Sequence, residues 1–205
     1  LSFEEAAAAP LVFLTAWHML AGRAGLRPGE TVLVHAAGSG VSTAAVQIAV
    51  LLGARVFVTA GSAEKLRRAE ELGAEAGINY REQDFVAELR RLTGKRGVDV
   101  IVDHIGKDTW EGNIRSLAAG GRLVICGNTS GTEAVTSLPH VFFKSLSILG
   151  STMGSRAEVH EVLRLLERGD LAPVIDRVLP MNRVGEGHGL LEARAVFGKV
   201  VLTPW

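Results

Sequence analysis

Residues Ala36 to Ser42 (AAGSGVS) carry the small side chains that let a backbone come close to an anion. They follow a β-branched run, Thr31–His35 (TVLVH), and precede Ala44, Ala45, Ile48 and Leu51 at helical spacing. Strand, tight turn and helix in that order bring the helix's unpaired N–H groups and the positive end of its dipole to one point. In a repeated strand–helix context, the anion such a turn receives is a dinucleotide pyrophosphate. Gly38, Ser39, Gly40, Val41 and Ser42 are therefore the candidate pyrophosphate residues. The strict G-x-G-x-x-G spacing is absent, because Ser39 and Ser42 stand where Gly is usual. Taken alone, the turn also fits a ligand-free strand–helix connection.

The next strand end bears on the type of dinucleotide. An NAD site usually places Asp or Glu about 20 residues after the first glycine, on the ribose hydroxyls. Here the segment reads Val58-Thr59-Ala60-Gly61-Ser62, with no acid. Ser62 and Lys65 can instead hold a 2′-phosphate, which favours NADP and leaves NAD possible. Lys65 also fits a solvated helix face, and both readings stay open. Arg67 and Arg68 read as solvated cations paired with Glu70 and Glu71. The missing acid weighs against a methyltransferase, and Asp84 four residues after Tyr80 removes the Tyr-x-x-x-Lys of a short-chain dehydrogenase. His18, His35, His104, His140, His160 and His188 are scattered and Cys126 is the one cysteine, so no metal site is expected within the chain.

The elements that must position these residues alternate. Strands are predicted at 31–35, 55–59, 76–80, 98–103, 122–126 and 146–149. Helices are predicted at 41–52, 63–72, 84–92, 109–118 (stopped by Gly120-Gly121) and 158–167. A seventh strand at 174–179, a weak helix at 184–193 and a last strand at 199–202 follow. Apolar strands each followed by a helix imply a parallel sheet covered on both faces. The expected fold class is α/β, a doubly wound six-stranded parallel sheet of the Rossmann type.

The 22 basic and 22 acidic residues cancel, which gives no electrostatic reason for a nucleic-acid or anionic-membrane partner. Ala6–Leu20 is apolar but is preceded by Glu4 and Glu5, interrupted by Pro10 and His18, and shorter than a span. It reads as buried helix and loop. A single cysteine excludes an intrachain disulfide and suits a reducing compartment, so a cytoplasmic location is expected. The sequence begins at Leu1, not Met, so a preceding portion is expected.

Leu14-Thr15-Ala16-Trp17, Val34–Val41 (VHAAGSGV), Gly61-Ser62-Ala63-Glu64-Lys65, Leu72-Gly73-Ala74, Asp103-His104-Ile105-Gly106, Gly120–Val124 (GGRLV) and Gly198–Leu202 (GKVVL) succeed one another in order. In these stretches the chain resembles the medium-chain dehydrogenase/reductase superfamily, above all its quinone oxidoreductase and zinc-type alcohol dehydrogenase branches. The resemblance implies roles residue by residue. Thr15 would lie near the nicotinamide, and Gly38 to Ser42 under the pyrophosphate. Ser62, Lys65 and Tyr80 would hold the adenosine 2′-phosphate, with Gly61 beside them among the cofactor-binding residues. Gly106 would let the backbone approach the cofactor, and Gly127, Asn128, Ser151 and Thr152 would face the nicotinamide side. Tyr80 also fits a packed strand-end aromatic, and Gly106 and Gly127 also fit plain strand ends.

The resemblance further implies a catalytic barrel domain N-terminal to this region, missing from these residues. Residues 1–25 would then be an interdomain helical segment, 26–172 the dinucleotide-binding domain, and 173–205 a segment returning toward the barrel. The last strand would belong to the barrel's sheet and be displaced without it. Leu11 stands where classical zinc members carry a ligand cysteine, so zinc is not expected on this chain, and its use by a longer enzyme stays open. The expected activity is hydride transfer between NADP and a small carbonyl, quinone or alcohol. No catalytic acid or base can be named, and the 205 residues alone are expected to turn over nothing. The rival reading is a non-catalytic NADP-binding sensor or scaffold. A homodimer through the sixth strand, Leu146–Ser151 (LSILGS), is also expected.

Overall fold

The computed structural model describes residues 1–204; Trp205, the last residue of the expected 173–205 segment, lies outside the described residues. The chain opens with α1 (Phe3–Ala8), α2 (Pro10–Trp17) and a π-helical stretch, His18–Arg23. The alternation then runs β1 (Thr31–Val34), α3 (Gly40–Leu51), β2 (Arg55–Ala60), α4 (Ala63–Glu71), β3 (Ala76–Asn79) and α5 (Phe85–Leu92). It continues with β4 (Val98–Asp103), α6 (Lys107–Ser116), β5 (Leu117–Ile125), α7 (Leu138–Phe143), β6 (Ser147–Gly150) and α8 (Arg156–Glu167). The chain ends with β7 (Ile175–Pro180), α9 (Val184–Glu192) and β8 (Lys199–Thr203).

β1 to β6 form one parallel sheet in the order β3-β2-β1-β4-β5-β6. Its side chains alternate as a pleat requires, except at the bulge between Val98 and Val100. Val32, Val34, Val56, Val58, Val100, Val102 and Val124 face one core with α2, α3, α4 and α8. Leu33, Phe57, Ile101 and Leu123 face the other with α5 and α6. The sheet is doubly wound, as the apolar strands imply. Pro10 starts α2 instead of breaking a helix, since its fixed φ and missing N–H suit the first helical position. The N-terminal helices share the first core with the sheet through Ala9, Val12, Phe13, Met19 and Leu20.

Two local expectations need correction. The glycine pair Gly120-Gly121 does not stop a helix at Ala118. α6 ends at Ser116, and Leu117 already pairs with Val98 as the first residue of β5. The residues between Leu117 and Arg122 form a bulge, with Gly120 at φ 73°, before Arg122 pairs with Val100. The last strand is not loose: β8 pairs in parallel with β7 from Lys199 to Thr203. α9 forms despite three glycines because tertiary packing outweighs propensity. A Cβ at Gly187 would lie 3.5 Å from Val200 and 3.7 Å from Leu179, so the helix sits close on that ribbon.

The start of β4 depends on Gly97, where φ is +87° and a Cβ would stand 2.5 Å from the Ser116 carbonyl oxygen. Gly97→Ala is expected to destabilise the chain by about 2–3 kcal/mol and to lower its thermal midpoint by roughly 4–12 °C. An unchanged midpoint in a calorimetric scan would contradict this packing.

Candidate cofactor site at the crest of the sheet

The carboxyl ends of β1 and β4 are neighbours, and the helices that follow them leave on opposite faces. A crevice at that crest is where this fold class binds nucleotides. The candidate residues fall into two groups along it.

The first group surrounds the turn after β1. Ser39, at φ −76° and ψ 154°, caps α3 by accepting from the Ser42 N–H at 3.1 Å. The Ser42 hydroxyl donates to the His35 carbonyl at 2.6 Å, and the Ser39 hydroxyl donates to Ser42 Oγ at 2.8 Å. The serines that break the glycine spacing thus stitch the helix start to the strand end. At Gly38 and Gly40 lysine side chains come close over the backbone. A Cβ at Gly38 would lie 3.0 Å from Lys65 Cδ, and one at Gly40 would lie 2.8 Å from Lys199 Cδ and 3.0 Å from Val12 Cγ1.

The end of β2 adjoins this turn. Ser62 caps α4, and Gly61 has no room for a side chain because Tyr80 Oη lies 2.7 Å from its would-be Cβ. Tyr80 is 43% exposed, so it covers Gly61 as a lid and is not buried in a core. Lys65 reaches over Gly38 and donates from Nζ to the Arg194 carbonyl at 2.6 Å. Burial pulls its pKa below the ordinary lysine value, with Arg194 and Arg68 adding repulsion against the attraction of Asp176 and Glu64. Beside Lys65 opens a cavity of about 770 Å³ that Arg68, Arg177 and Arg194 also line.

Arg67 pairs with Glu71 on the exposed face, as expected. Arg68 departs from expectation. It turns inward to Asp176 at 3.2 Å and stacks 4.3 Å above the Phe197 ring. Its partner comes from β7, more than a hundred residues on, and nothing local in the sequence signals it. Arg194 was missed for the same reason. It follows α9 at φ 53°, and the segment after it is pinned to the turn by Gly198 N–H donating to the Gly38 carbonyl at 2.9 Å.

The second group lies along the rest of the crest. Thr15 is buried on α2 and donates its hydroxyl to the Leu11 carbonyl at 2.7 Å. The loop after β6 packs on the same helix, since a Cβ at Gly154 would meet Leu14 Cδ1 at 2.6 Å. In that loop Thr152 is exposed, while Ser151 Oγ is buried without a hydrogen-bond partner. Gly106 stands at φ +90°, with its would-be Cβ 3.0 Å from Asn128 Cα. Gly127 abuts His104, 3.2 Å from its Cβ and carbonyl oxygen. Both glycines therefore serve the packing of two crest loops, the one after β4 and the one after β5. Asn128 is exposed between them.

The arrangement fits a dinucleotide. The glycine cradle and two orphaned buried polar atoms, His104 Nδ1 and Ser151 Oγ, follow carboxyl ends of strands, and the cations line the cavity beside the end of β2. It does not fit a metal. Among the described residues no group of three or more His, Cys, Asp or Glu comes together to hold one. Burial pushes the Cys126 thiol up to about 11. No helix among the described residues is long and apolar enough to cross a membrane.

Comparison with known proteins places these features. The model of a family described as zinc-binding dehydrogenase matches residues 40–168. A quinone oxidoreductase of Pseudomonas aeruginosa is 36% identical over 213 residues, covering 100% of this chain and 66% of its own length. A polyketide synthase protein of Streptomyces orinoci, NorB of the spectinabilin system, is 38% identical over 98% of this chain but only 9% of itself. The crystal structure of a protein titled NAD-dependent alcohol dehydrogenase superposes with a TM-score of 0.95 at 56% identity, over 100% of this chain and 60% of that one. The chain thus spans about two thirds or less of the length of these relatives.

Asp176 ties Arg68, Arg177 and the Phe197 N–H together. Burial raises its pKa, but the Phe197 N–H and the two arginines outweigh that and hold the carboxyl below its ordinary value. A depressed carboxyl stabilises the fold fully above its unfolded pKa, and that stability is lost as pH falls through the folded pKa. The clasp is therefore expected to persist at neutral pH and to loosen below about pH 4. Asp176→Asn is expected to speed amide exchange at Phe197 about tenfold at pH 7. Unchanged exchange there would refute the clasp.

Proposed function

This chain belongs to the zinc-binding dehydrogenase family of the medium-chain dehydrogenase/reductases, and on that premise we propose that it is the cofactor-holding part of an NADP-preferring oxidoreductase. The reaction is hydride transfer between NADPH and a small carbonyl, quinone or activated alkene, or the reverse with an alcohol. The hydride chemistry is supplied by the nicotinamide. The residues of this chain hold and orient. Gly38 to Ser42 present the start of α3 to the pyrophosphate, where the helix dipole favours negative charge. Gly61, Ser62 and Tyr80 border the adenosine ribose. Thr15, Gly106, Gly127, Asn128, Ser151 and Thr152 flank the nicotinamide half. No residue of this chain is assigned an acid–base role, and on this reading the chain alone holds cofactor without turning substrate over.

One observation carries the preference for NADP. The end of β2 offers no carboxylate, and the cavity beside it sets four cations, Lys65, Arg68, Arg177 and Arg194, against two carboxylates, Glu64 and Asp176. A ribose hydroxyl needs a carboxylate acceptor, whereas a 2′-phosphate needs cations. The solved relative titled NAD-dependent supports the second reading, NAD, as does the neutralisation of Arg68 and Arg177 by Asp176. A titration separates them. The wild-type chain is expected to bind NADPH at least tenfold more tightly than NADH. Lys65→Ala is expected to lower that ratio about tenfold, the scale of one charge-assisted hydrogen bond. A wild-type preference for NADH, or a preference for NADPH unmoved by Lys65→Ala, would overturn the assignment.

We also propose self-association through β6. That strand is the sheet's edge, and Leu138, Phe142, Phe143 and Ile148 are exposed along it and along α7. An apolar edge of this kind invites a second copy. The chain is expected to sediment as a dimer at micromolar concentration and Ile148→Lys as a monomer. A monomeric wild type would sink the idea.

A further inference from the structure

Beneath the turn runs a chain of hydrogen bonds that the cofactor reading does not use. Its anchor is Asp103, wholly buried at the end of β4. Asp103 accepts from the Ile105 N–H at 2.7 Å, Thr109 Oγ1 at 2.8 Å and Asn113 Nδ2 at 2.8 Å. A carboxylate accepts and does not donate, so it fixes the direction of everything attached to it. Asn113 must turn its amide nitrogen toward Asp103, which leaves Oδ1 facing His35 Nε2 at 2.7 Å. An amide oxygen also only accepts, so the His35 proton sits on Nε2 and Nδ1 is bare. The Thr59 hydroxyl, 2.9 Å from Nδ1, must then donate to it. A lone pair of Thr59 Oγ1 is left for the Ala36 N–H at 3.3 Å.

Ala36 is where this chain ends and the anion site begins. Its φ is +50°, in the left-handed region that costs a residue with a Cβ about 1 kcal/mol or more. The next N–H, that of Ala37, donates to the Thr59 carbonyl at 2.8 Å. Thr59 therefore holds two successive N–H groups of the turn, one by side chain and one by backbone. Its own hydroxyl is oriented through His35 and Asn113 by Asp103. All four of these side chains are buried, so no solvent can substitute for a lost partner.

We propose that Thr59 and His35 are positioning residues for the cofactor's pyrophosphate: the one-way hydrogen-bond chain from Asp103 locks the left-handed turn at Ala36 and so fixes where the start of α3 points. The inference rests on the reading of Ala36–Ser42 as the pyrophosphate site. Burial keeps the His35 imidazole neutral, which the single-proton pattern requires.

The test uses two ligands, NADPH and adenosine 2′-monophosphate, the second lacking the pyrophosphate. Thr59→Val keeps shape and β-branching but removes the hydroxyl. It is expected to weaken NADPH about tenfold and to leave adenosine 2′-monophosphate unchanged. Thr59→Ser keeps the hydroxyl, loses a buried methyl, and is expected to bind NADPH within about twofold of wild type. Asn113→Leu, which removes the acceptor that sets the His35 tautomer, is expected to act on NADPH in the same direction as Thr59→Val. A merely structural role predicts another pattern. Affinity would follow the thermal midpoint, both ligands would weaken together, and Thr59→Ser would gain nothing over Thr59→Val. That pattern, or full NADPH affinity in folded Thr59→Val and Asn113→Leu, overturns this inference alone. No NADPH binding by the wild-type chain overturns the site reading beneath it.

Discussion

Strands β1 and β4 lie side by side at the centre of the sheet, yet the chain between them runs out to β3 and back. That reversal sends α3 to one face and α6 to the other. No helix can then roof the gap between the two strand ends, and a crevice remains between them. The small residues around it follow from this constraint. The loops that close the crest cross at short range, and Gly106 and Gly127 sit against Asn128 and His104 with little space for a side chain. The turn after β1 must bring backbone to the gap, which is why it is built from alanine, glycine and serine.

Charge is distributed along the crevice unevenly. Arg68 and Arg177 share Asp176, so their charge is spent on holding β7 and the Phe197 segment in place. Lys65 is different. Its hydrogen-bond acceptor is a neutral carbonyl, and burial makes its charged form less favourable. Asp176 and Glu64 offset only part of that penalty, and a 2′-phosphate would add the counter-charge that the proposed NADP preference needs. A bare ribose hydroxyl would not. The same lysine lies across Gly38.

The strands were legible because the pleat demands it. Val32-Leu33-Val34 and Val100-Ile101-Val102 are apolar at every position since both faces are covered, and that pattern has few other meanings. Helix starts were legible at Ser62, whose side chain caps the helix it precedes. Gly120-Gly121 misled because a glycine pair marks a bulge as well as a helix stop, and pairing with β4 decides between them. In the site, Lys65 was visible since it lies one turn into the helix after β2. Arg68 and Arg194 were not, because their setting comes from β7 and the strap before β8, far away in sequence. His35 gave no local sign at all: its partners Thr59 and Asn113, and Asp103 behind Asn113, come from three different elements.

The two serines that break the glycine rule show how the site tolerates the departure. In such turns the first glycine serves a tight bend, the second a close approach, and the third close helix–strand packing. Here the bend falls on Ala36 at φ +50°, while Ser39 at φ −76° has no need of glycine. Ser39 instead caps α3, a contribution of about 1 kcal/mol. Ser42 is wholly buried where helix meets strand, and its hydroxyl converts that contact into a hydrogen bond to His35. Each substitution exchanges backbone freedom for a fixed partner. A turn already ordered loses less entropy when a ligand arrives, so this internal stitching would favour the proposed pyrophosphate site before any atom touches the anion.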